Sequence, residues 1–264
     1  MTDLALIFSR YVNGVSRRHA EVSRAMFGND AIDWITNGVH STTWTSPSFA
    51  KLYDENIPGW RNDPSRLMQA FQLRGNDIWK AHQAAKMKLL ALVLEDTGQE
   101  LDPDILTIGF ARRAATYKRA DLVFSDIKRL LEIGKGKIQF IFAGKAHPHD
   151  EPGKDILQKI YTIAGELHDQ MPVVFIENYN MASAKLITSG VDLWLNTPVR
   201  PREASGTSGM KCVHNGVMNF SVLDGWWIEG CIEDVTGWAI GPEPGQDDMD
   251  GYDESLDAND LYKK

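Results

Sequence analysis

The runs Ile105-Leu-Thr-Ile-Gly-Phe-Ala111 and Lys137-Ile-Gln-Phe-Ile-Phe-Ala-Gly144 decide the architecture of this chain. Each is a short apolar stretch closed by a small residue, the pattern of a strand buried on both faces. Between them, Tyr117 to Ile133 carry apolar side chains at helical spacing. The alternation continues downstream, with helix at Ile156 to His168, strand at Val173 to Glu177 and helix at Met181 to Ser189. A strand at Val191 to Leu195 then leads into a helix bearing Lys211, and Val217 to Leu223 closes the series. Strand, helix, strand at this spacing predicts right-handed crossovers and a parallel sheet covered on both faces, an α/β domain.

Upstream of Pro103 the chain reads mostly as helix. Apolar residues recur at helical spacing from Leu4 to Phe27, with Gly14 as a weak point. Asn29 to Pro64 reads as loop, and residues 64–96 as helix, broken near Arg74-Gly75-Asn76-Asp77.

The loops that leave the carboxyl ends of parallel strands share one edge, where ligands bind. Here they are Arg112 to Arg119, Gly144-Lys145-Ala-His147-Pro, Asn178-Tyr179-Asn180, and Thr197 to Lys211. Three of the four carry cations, which points to an anion site, with phosphate the natural ligand. Arg112, Arg113, Lys118 and Arg119 precede a predicted helix, where cations oppose the helix dipole unless an anion is bound. The plain alternative is a solvated basic helix start.

The most specific stretch is Glu203-Ala-Ser-Gly-Thr-Ser-Gly-Met-Lys211. Small residues opening a helix expose N–H groups that can hold phosphate. A lysine one turn inside can reach the same place and form a Schiff base with an aldehyde. A cofactor with both groups is pyridoxal phosphate, and the apolar residues Cys212, Val213 and Val217 favour a desolvated, neutral amine. A flexible loop with a helix cap is the competing reading of Ser205-Gly-Thr-Ser-Gly209. Glu203 either pairs with Arg200 or Arg202 or accepts hydrogen bonds from sugar hydroxyls. No second carboxylate stands out to make a hydrolytic pair with it. His147, His149 and His214 read as structural or exposed, and Trp226-Trp227 as core or interface.

Composition narrows the class. The chain has 264 residues, 43% hydrophobic and 24% charged, as expected of a soluble globular protein. No run is long enough to span a bilayer, and the stretch from Met1 to Arg10 lacks the basic start and cleavage site of a signal peptide. Cys212 and Cys231 are the only cysteines, which fits a reducing cytoplasm. No metal motif is present. Of the net charge of −8, residues 242–264 contribute −6, from eight acids against two lysines, and read as a solvated acidic segment. An acidic chain without a basic face argues against a nucleic-acid partner.

Glu203 to Lys211, with Asn215-Gly216 and Leu223-Asp224-Gly225, resembles the cofactor-lysine segment of the α-glucan phosphorylases. Val12-Asn13-Gly14-Val15, Thr36-Asn37-Gly38, Arg112-Arg113 with Tyr117-Lys118-Arg119, Gly144-Lys145-Ala146 and Glu177-Asn178-Tyr179 agree in colinear order over about residues 4–230. Ser208-Gly209 and Arg112 stand where the animal enzymes read Gly-Asn and Lys, and resemble the shorter prokaryotic branch.

The resemblance implies a retaining glycosyltransferase fold of two facing Rossmann-like domains. It implies PLP-dependent phosphorolysis of terminal α-1,4-linked glucose to glucose 1-phosphate, with an α-1,4-glucan and orthophosphate as partners. It also implies a homo-oligomer in the full-length protein. Lys211 matches the lysine that holds pyridoxal phosphate. Arg113 and Lys118 match the residues that hold substrate phosphate, and Arg112 a basic residue facing the cofactor phosphate. Thr207 and Ser208 match backbone donors to that phosphate, and Tyr179 an aromatic neighbour. Glu203, Ser205, Gly206 and Asn37 match contacts to glucose hydroxyls.

On this reading residues 1–37 are a remnant of the N-terminal glucan-binding domain, most of which has no counterpart here. Residues 38–241 form the cofactor-binding domain, with a helical lead-in over 38–103, and 242–264 begin a truncated crossover. The isolated chain is expected to need the missing domain for turnover. The alternatives are a nucleotide-sugar glycosyltransferase resembling glycogen or starch synthase, and a non-catalytic anion- or partner-binding fragment.

Overall fold

A computed structural model describes residues 2–245 and 253–264. Asp247, Asp248 and Asp250 of the acidic segment, and Met1 of the N-terminal reading, lie outside the described residues.

Two short strands near the N-terminus, β1 (Asn13–Gly14) and β2 (Asp33–Trp34), pair in parallel. The main sheet contains β3 (Leu106–Ala111), β4 (Ile138–Ala143), β5 (Val173–Ile176), β6 (Leu193–Asn196), β7 (Met218–Val222) and β8 (Gly237–Ile240). Their spatial order is β5-β4-β3-β6-β7-β8, and every pairing is parallel. The chain builds outward from β3 in one direction, then returns to β6 beside β3 and builds the other way. That reversal opens a crevice between the carboxyl ends of β3 and β6.

Strand alternation divides the core. Phe140 and Phe142 face a cluster with Phe110, Leu195, Phe220, Val222 and Ile240, while Ile141 and Ala143 face Leu89, Val93, Ile187 and Trp194. The helices Ile127–Gly134, Glu151–Leu167 and Ser255–Leu261 cover the first face. The helices Gly75–Thr97 and Met181–Gly190 cover the second. The longest, Gly75–Thr97, buries Ala81, His82, Ala85, Lys86, Leu89, Leu90 and Val93 as one stripe and ends on Gly98 at φ 69. Its buried Lys86 and His82 both reach Asp192, at 2.6 and 2.7 Å, and fasten the helix to the start of β6.

Several expectations change. The expected loop from 29 to 64 contains the helices Ser41–Trp44 and Pro47–Asn56. The second starts where Ser46 caps Phe49 and Pro47 takes the first turn, and it buries Phe49, Leu52 and Tyr53. The expected helix from 117 to 133 is two single 3₁₀ turns followed by Ile127–Gly134, capped by Asp126. The segment that follows Arg112 and Arg113 is therefore not a long helix whose dipole would oppose them. The expected helix from Leu4 to Phe27 breaks into Thr2–Phe8 and Arg17–Phe27 around β1. Strand β8 extends the sheet beyond the predicted last strand.

The acidic segment is also not uniformly solvated. Asp257 in the helix Ser255–Leu261 is fully buried against Arg119 Nη2, and Leu261 and Tyr262 join the core.

Candidate active site at the strand-order reversal

The exit loops of β3, β5 and β6 line one cavity of about 520 Å³, and the ends of β4 and β7 support them. β3 ends at Ala111 and delivers Arg112 and Arg113. The β4 loop rails this segment, since Arg112 N–H donates to Ala143 O and Ala114 N–H to Lys145 O, each at 3.1 Å. A Cβ on Gly144 would lie 2.3 Å from Arg112 O, so only glycine permits this approach. β6 ends at Asn196, and the loop after it is tied to the β3 loop. The Thr197 hydroxyl reaches Lys118 O and Arg119 O, and Val199 N–H donates to Tyr117 O at 2.7 Å.

β7 supplies the third support. The Asp224 carboxylate accepts the N–H of Glu203 at 2.8 Å and that of Gly225 at 2.9 Å. Gly225 has φ +56, and a Cβ there would fall 2.4 Å from Ser205 O. From Glu203 the chain passes through Gly206 at φ 82 into the helix Thr207–Val213. No side chain caps that helix; Gly209 N–H turns back to Gly206 O at 3.3 Å, and the uncapped N–H groups of Thr207 and Ser208 belong to residues that line the cavity. The N-terminal segment closes one rim. Ser16 donates to Ala204 O at 2.8 Å, Thr36 to Glu229 at 2.6 Å, and Asn37 N–H to Val15 O at 2.9 Å.

All eleven residues singled out in the sequence line this cavity. Arg112, Arg113 and Lys118 stand with Tyr179 and Lys211, and Glu203, Ser205, Gly206, Thr207 and Ser208 with Asn37. Glu203 Oε2 pairs with Arg112 Nη2 at 2.7 Å and with the Lys118 ammonium. This replaces the expected surface pairing with Arg200 or Arg202. Burial opposes the Glu203 charge, but Arg112 and then Lys118 outweigh it and hold the carboxyl below its ordinary range. Burial, then Arg112, pulls the Lys118 ammonium down to about 8. Burial likewise lowers the Lys211 ammonium, with Arg112 adding to the effect. Its Nζ lies 3.9 Å from the centroid of the Trp44 ring. Burial raises the Asp224 carboxyl to about 7.

The hydroxyls of Ser205 and Ser208 are buried with no hydrogen-bond partner among the described residues. Five cations (Arg112, Arg113, Lys118, Arg202, Lys211) against one lining carboxylate, beside open N–H and O–H groups, suit an anion rich in oxygen.

Three residues of the cationic loops lie elsewhere. Arg119 turns inward, donating to Thr197 O at 2.9 Å and Pro198 O at 2.8 Å and pairing with Asp257. Lys145 and His147 are exposed and do not line the cavity. Conversely, Asn196, which accepts from Arg112 Nη1, was not singled out, nor was Trp44. Asp224 was visible only as part of a motif. His214 is a structural residue, bridging Met210 O at 2.9 Å and the Ser41 hydroxyl at 3.0 Å.

Fold and cavity together define an α/β protein of the Rossmann-like class with an anion-collecting site at the sheet's reversal point. More narrowly, the sequence model for carbohydrate phosphorylases matches residues 1–237, and the chain belongs to that family. It is 39% identical to the maltodextrin phosphorylase of Thermococcus litoralis, over 99% of this chain and 35% of that protein. It is 38% identical to the glycogen phosphorylase of Aquifex aeolicus, over 99% of this chain and 41% of that protein. Against the glycogen phosphorylase of Mycobacterium tuberculosis the identity is 36%, over 99% and 34%. The chain thus spans between about a third and two fifths of the relatives it matches. No helix among the described residues is long and apolar enough to cross a membrane.

Proposed function

We propose that this chain forms the phosphate- and cofactor-binding half of an α-1,4-glucan phosphorylase, which releases terminal glucose as glucose 1-phosphate. The observation that carries this reading is the convergence of one desolvated amine, Lys211, with Arg112, Arg113 and Lys118 in a single cavity. A nucleotide-sugar transferase has use for the cations but none for that amine. The same reading assigns residues 1–37 to the glucan-binding half and residues 38–241 to the cofactor half.

The residues present fit pyridoxal phosphate. The amine of Lys211 would hold the aldehyde, Tyr179 and Trp44 supply flat apolar neighbours, and the unpartnered hydroxyl of Ser208 suits a phosphate. Thr207 and Ser208 offer backbone N–H groups, and Arg112 a guanidinium fork. When bound, pyridoxal phosphate supplies a phosphate that exchanges a proton with the substrate phosphate.

The chain's own side chains do the rest. Arg113 and Lys118 bind and orient orthophosphate, and the buried setting of Lys118 strengthens that attraction. Glu203, Ser205, the Gly206 backbone and Asn37 accept or donate hydrogen bonds to glucose hydroxyls and fix the ring against the phosphate. Asp224 keeps Glu203 in register through its backbone N–H.

The test is borohydride reduction of the folded chain with pyridoxal phosphate, followed by absorbance, fluorescence and peptide mapping. A stable adduct on Lys211, absent in Lys211→Ala, is expected. A folded wild-type chain that gives no lysine-dependent adduct refutes the proposal.

A further inference from the structure

The geometry points to a carboxylate exchange at Glu203 that couples phosphate binding to sugar binding, an inference that rests on the phosphorolysis reading above. One oxygen of Glu203, Oε2, meets two cations, Arg112 Nη2 at 2.7 Å and the Lys118 ammonium in direct contact. The three side chains are only 7–8% exposed. Arg112 is committed on its other side as well, where Nη1 donates to Asn196. The Lys118 ammonium also lies 4.5 Å from the centroid of the Tyr117 ring.

A phosphate dianion that enters the cavity seeks these same donors. It cannot share them with a carboxylate at contact distance, because like charges repel strongly where water is scarce. The main chain of Glu203 does not relieve the conflict, since its N–H is held by Asp224 Oδ2 at 2.8 Å. Only the side-chain torsions can move the carboxylate.

Turned off the cations, the carboxylate presents its lone pairs to the cavity that Ser205, Gly206 and Asn37 also line. An acceptor of that kind is held in place by donors, and the hydroxyls of a neutral sugar supply them. In the opposite order, a sugar that draws Glu203 away leaves Arg112 Nη2 and Lys118 open to an anion. Each ligand thus prepares the site of the other, and linkage makes the gain equal in both directions.

Calorimetric titration of glucose into the 264-residue chain, with and without saturating inorganic phosphate, tests this for wild type and Glu203→Gln. Glucose affinity in wild type is expected to rise about tenfold with phosphate. Glu203→Gln is expected to bind phosphate about tenfold more tightly than wild type, and to lose the phosphate-dependent gain for glucose. Glucose binding that ignores phosphate, absence of binding included, overturns the exchange. So does phosphate affinity unchanged by Glu203→Gln in a folded sample. If circular dichroism shows that variant unfolded, the wild-type titration alone decides. Failure of the phosphorolysis reading appears separately, as a missing Lys211 adduct, because the titration uses no aldehyde.

Discussion

The Lys211 ammonium sits 3.9 Å from the centroid of the Trp44 ring, although 166 intervening residues of chain separate the two (211 − 44 − 1). Asn215 holds that arrangement. Its side chain is fully buried, donates to Trp44 O at 2.8 Å and Lys211 O at 3.1 Å, and accepts Ser46 N–H at 2.7 Å. The helical lead-in is therefore a wall of the lysine site.

Replacing Asn215 by Ala removes a side-chain partner from three backbone groups, of which those of Trp44 and Ser46 are buried. We expect a loss of about 2 kcal/mol in denaturant unfolding, together with faster hydrogen exchange over residues 41–46. Protection unchanged over that segment would show that Asn215 is not what docks it.

Phosphate binding should weaken as pH rises through about 8, where Lys118 gives up its proton. Below that pH the ammonium is charged and attracts the dianion, and above it the attraction is lost. Lys118→Arg keeps its charge across this range and should flatten the profile. Phosphate titrations from about pH 6.5 to about pH 9.5, on either side of the lowered Lys118 value, measure this.

Asp224 gives a stability signature with a slope of the same sign, at lower pH. Its folded carboxyl titrates near 7 against an ordinary 3.8, so between those values the folded state keeps a proton that the unfolded state has released. Stability from this group falls as pH rises through that window, by about 4 kcal/mol at most, and is flat above it. Asp224→Asn should shrink the difference in melting temperature between pH 4.5 and 7.5. An equal difference in both proteins would assign the slope to other groups.

Gly225→Ala should cost about 2–4 kcal/mol, from the left-handed backbone and the overlap with Ser205 O. Because that overlap bears on the Glu203 to Gly206 loop, phosphate affinity should fall with it. Thermal unfolding and phosphate titration of the same sample check both.

Arg119→Met should destabilise the chain by about 3 kcal/mol, since it removes the buried guanidinium that pairs with the fully buried Asp257 carboxylate. The helix Ser255–Leu261 should become the first site of limited proteolysis. Cleavage elsewhere first would show that Asp257 is not its anchor.

Much of this molecule can be recognised along the chain because the relevant physics is local. A buried parallel strand announces itself as an apolar run, as at Ile138–Ala143, and helices that alternate with such runs imply the crossovers. The lysine segment also stands out, since its small residues open a helix directly ahead of Lys211. Short or capped elements escaped notice. The four-residue strand Gly237–Ile240 offers almost no period, and Pro47–Asn56 was hidden among prolines despite the cap at Ser46.

The eleven residues share one cavity, and ten of them (all but Asn37) do so because parallel topology sends every strand's exit loop to one edge. Which cation meets which carboxylate was beyond that logic. Arg119 and Lys118 are adjacent in the chain, yet one backbone step turns them to opposite sides. Lys118 meets Glu203 in the cavity, and Arg119 meets Asp257 beneath it. Residue type and order were enough to set five of the six strands of the main sheet and the edge that gathers Arg112, Lys118 and Lys211. The pairing of buried charges, and the placing of Trp44 and Asn196 beside them, came only with the packed chain. A buried ion pair is chosen by three-dimensional distance and by competition for desolvated partners, and neither is written in the spacing of neighbours.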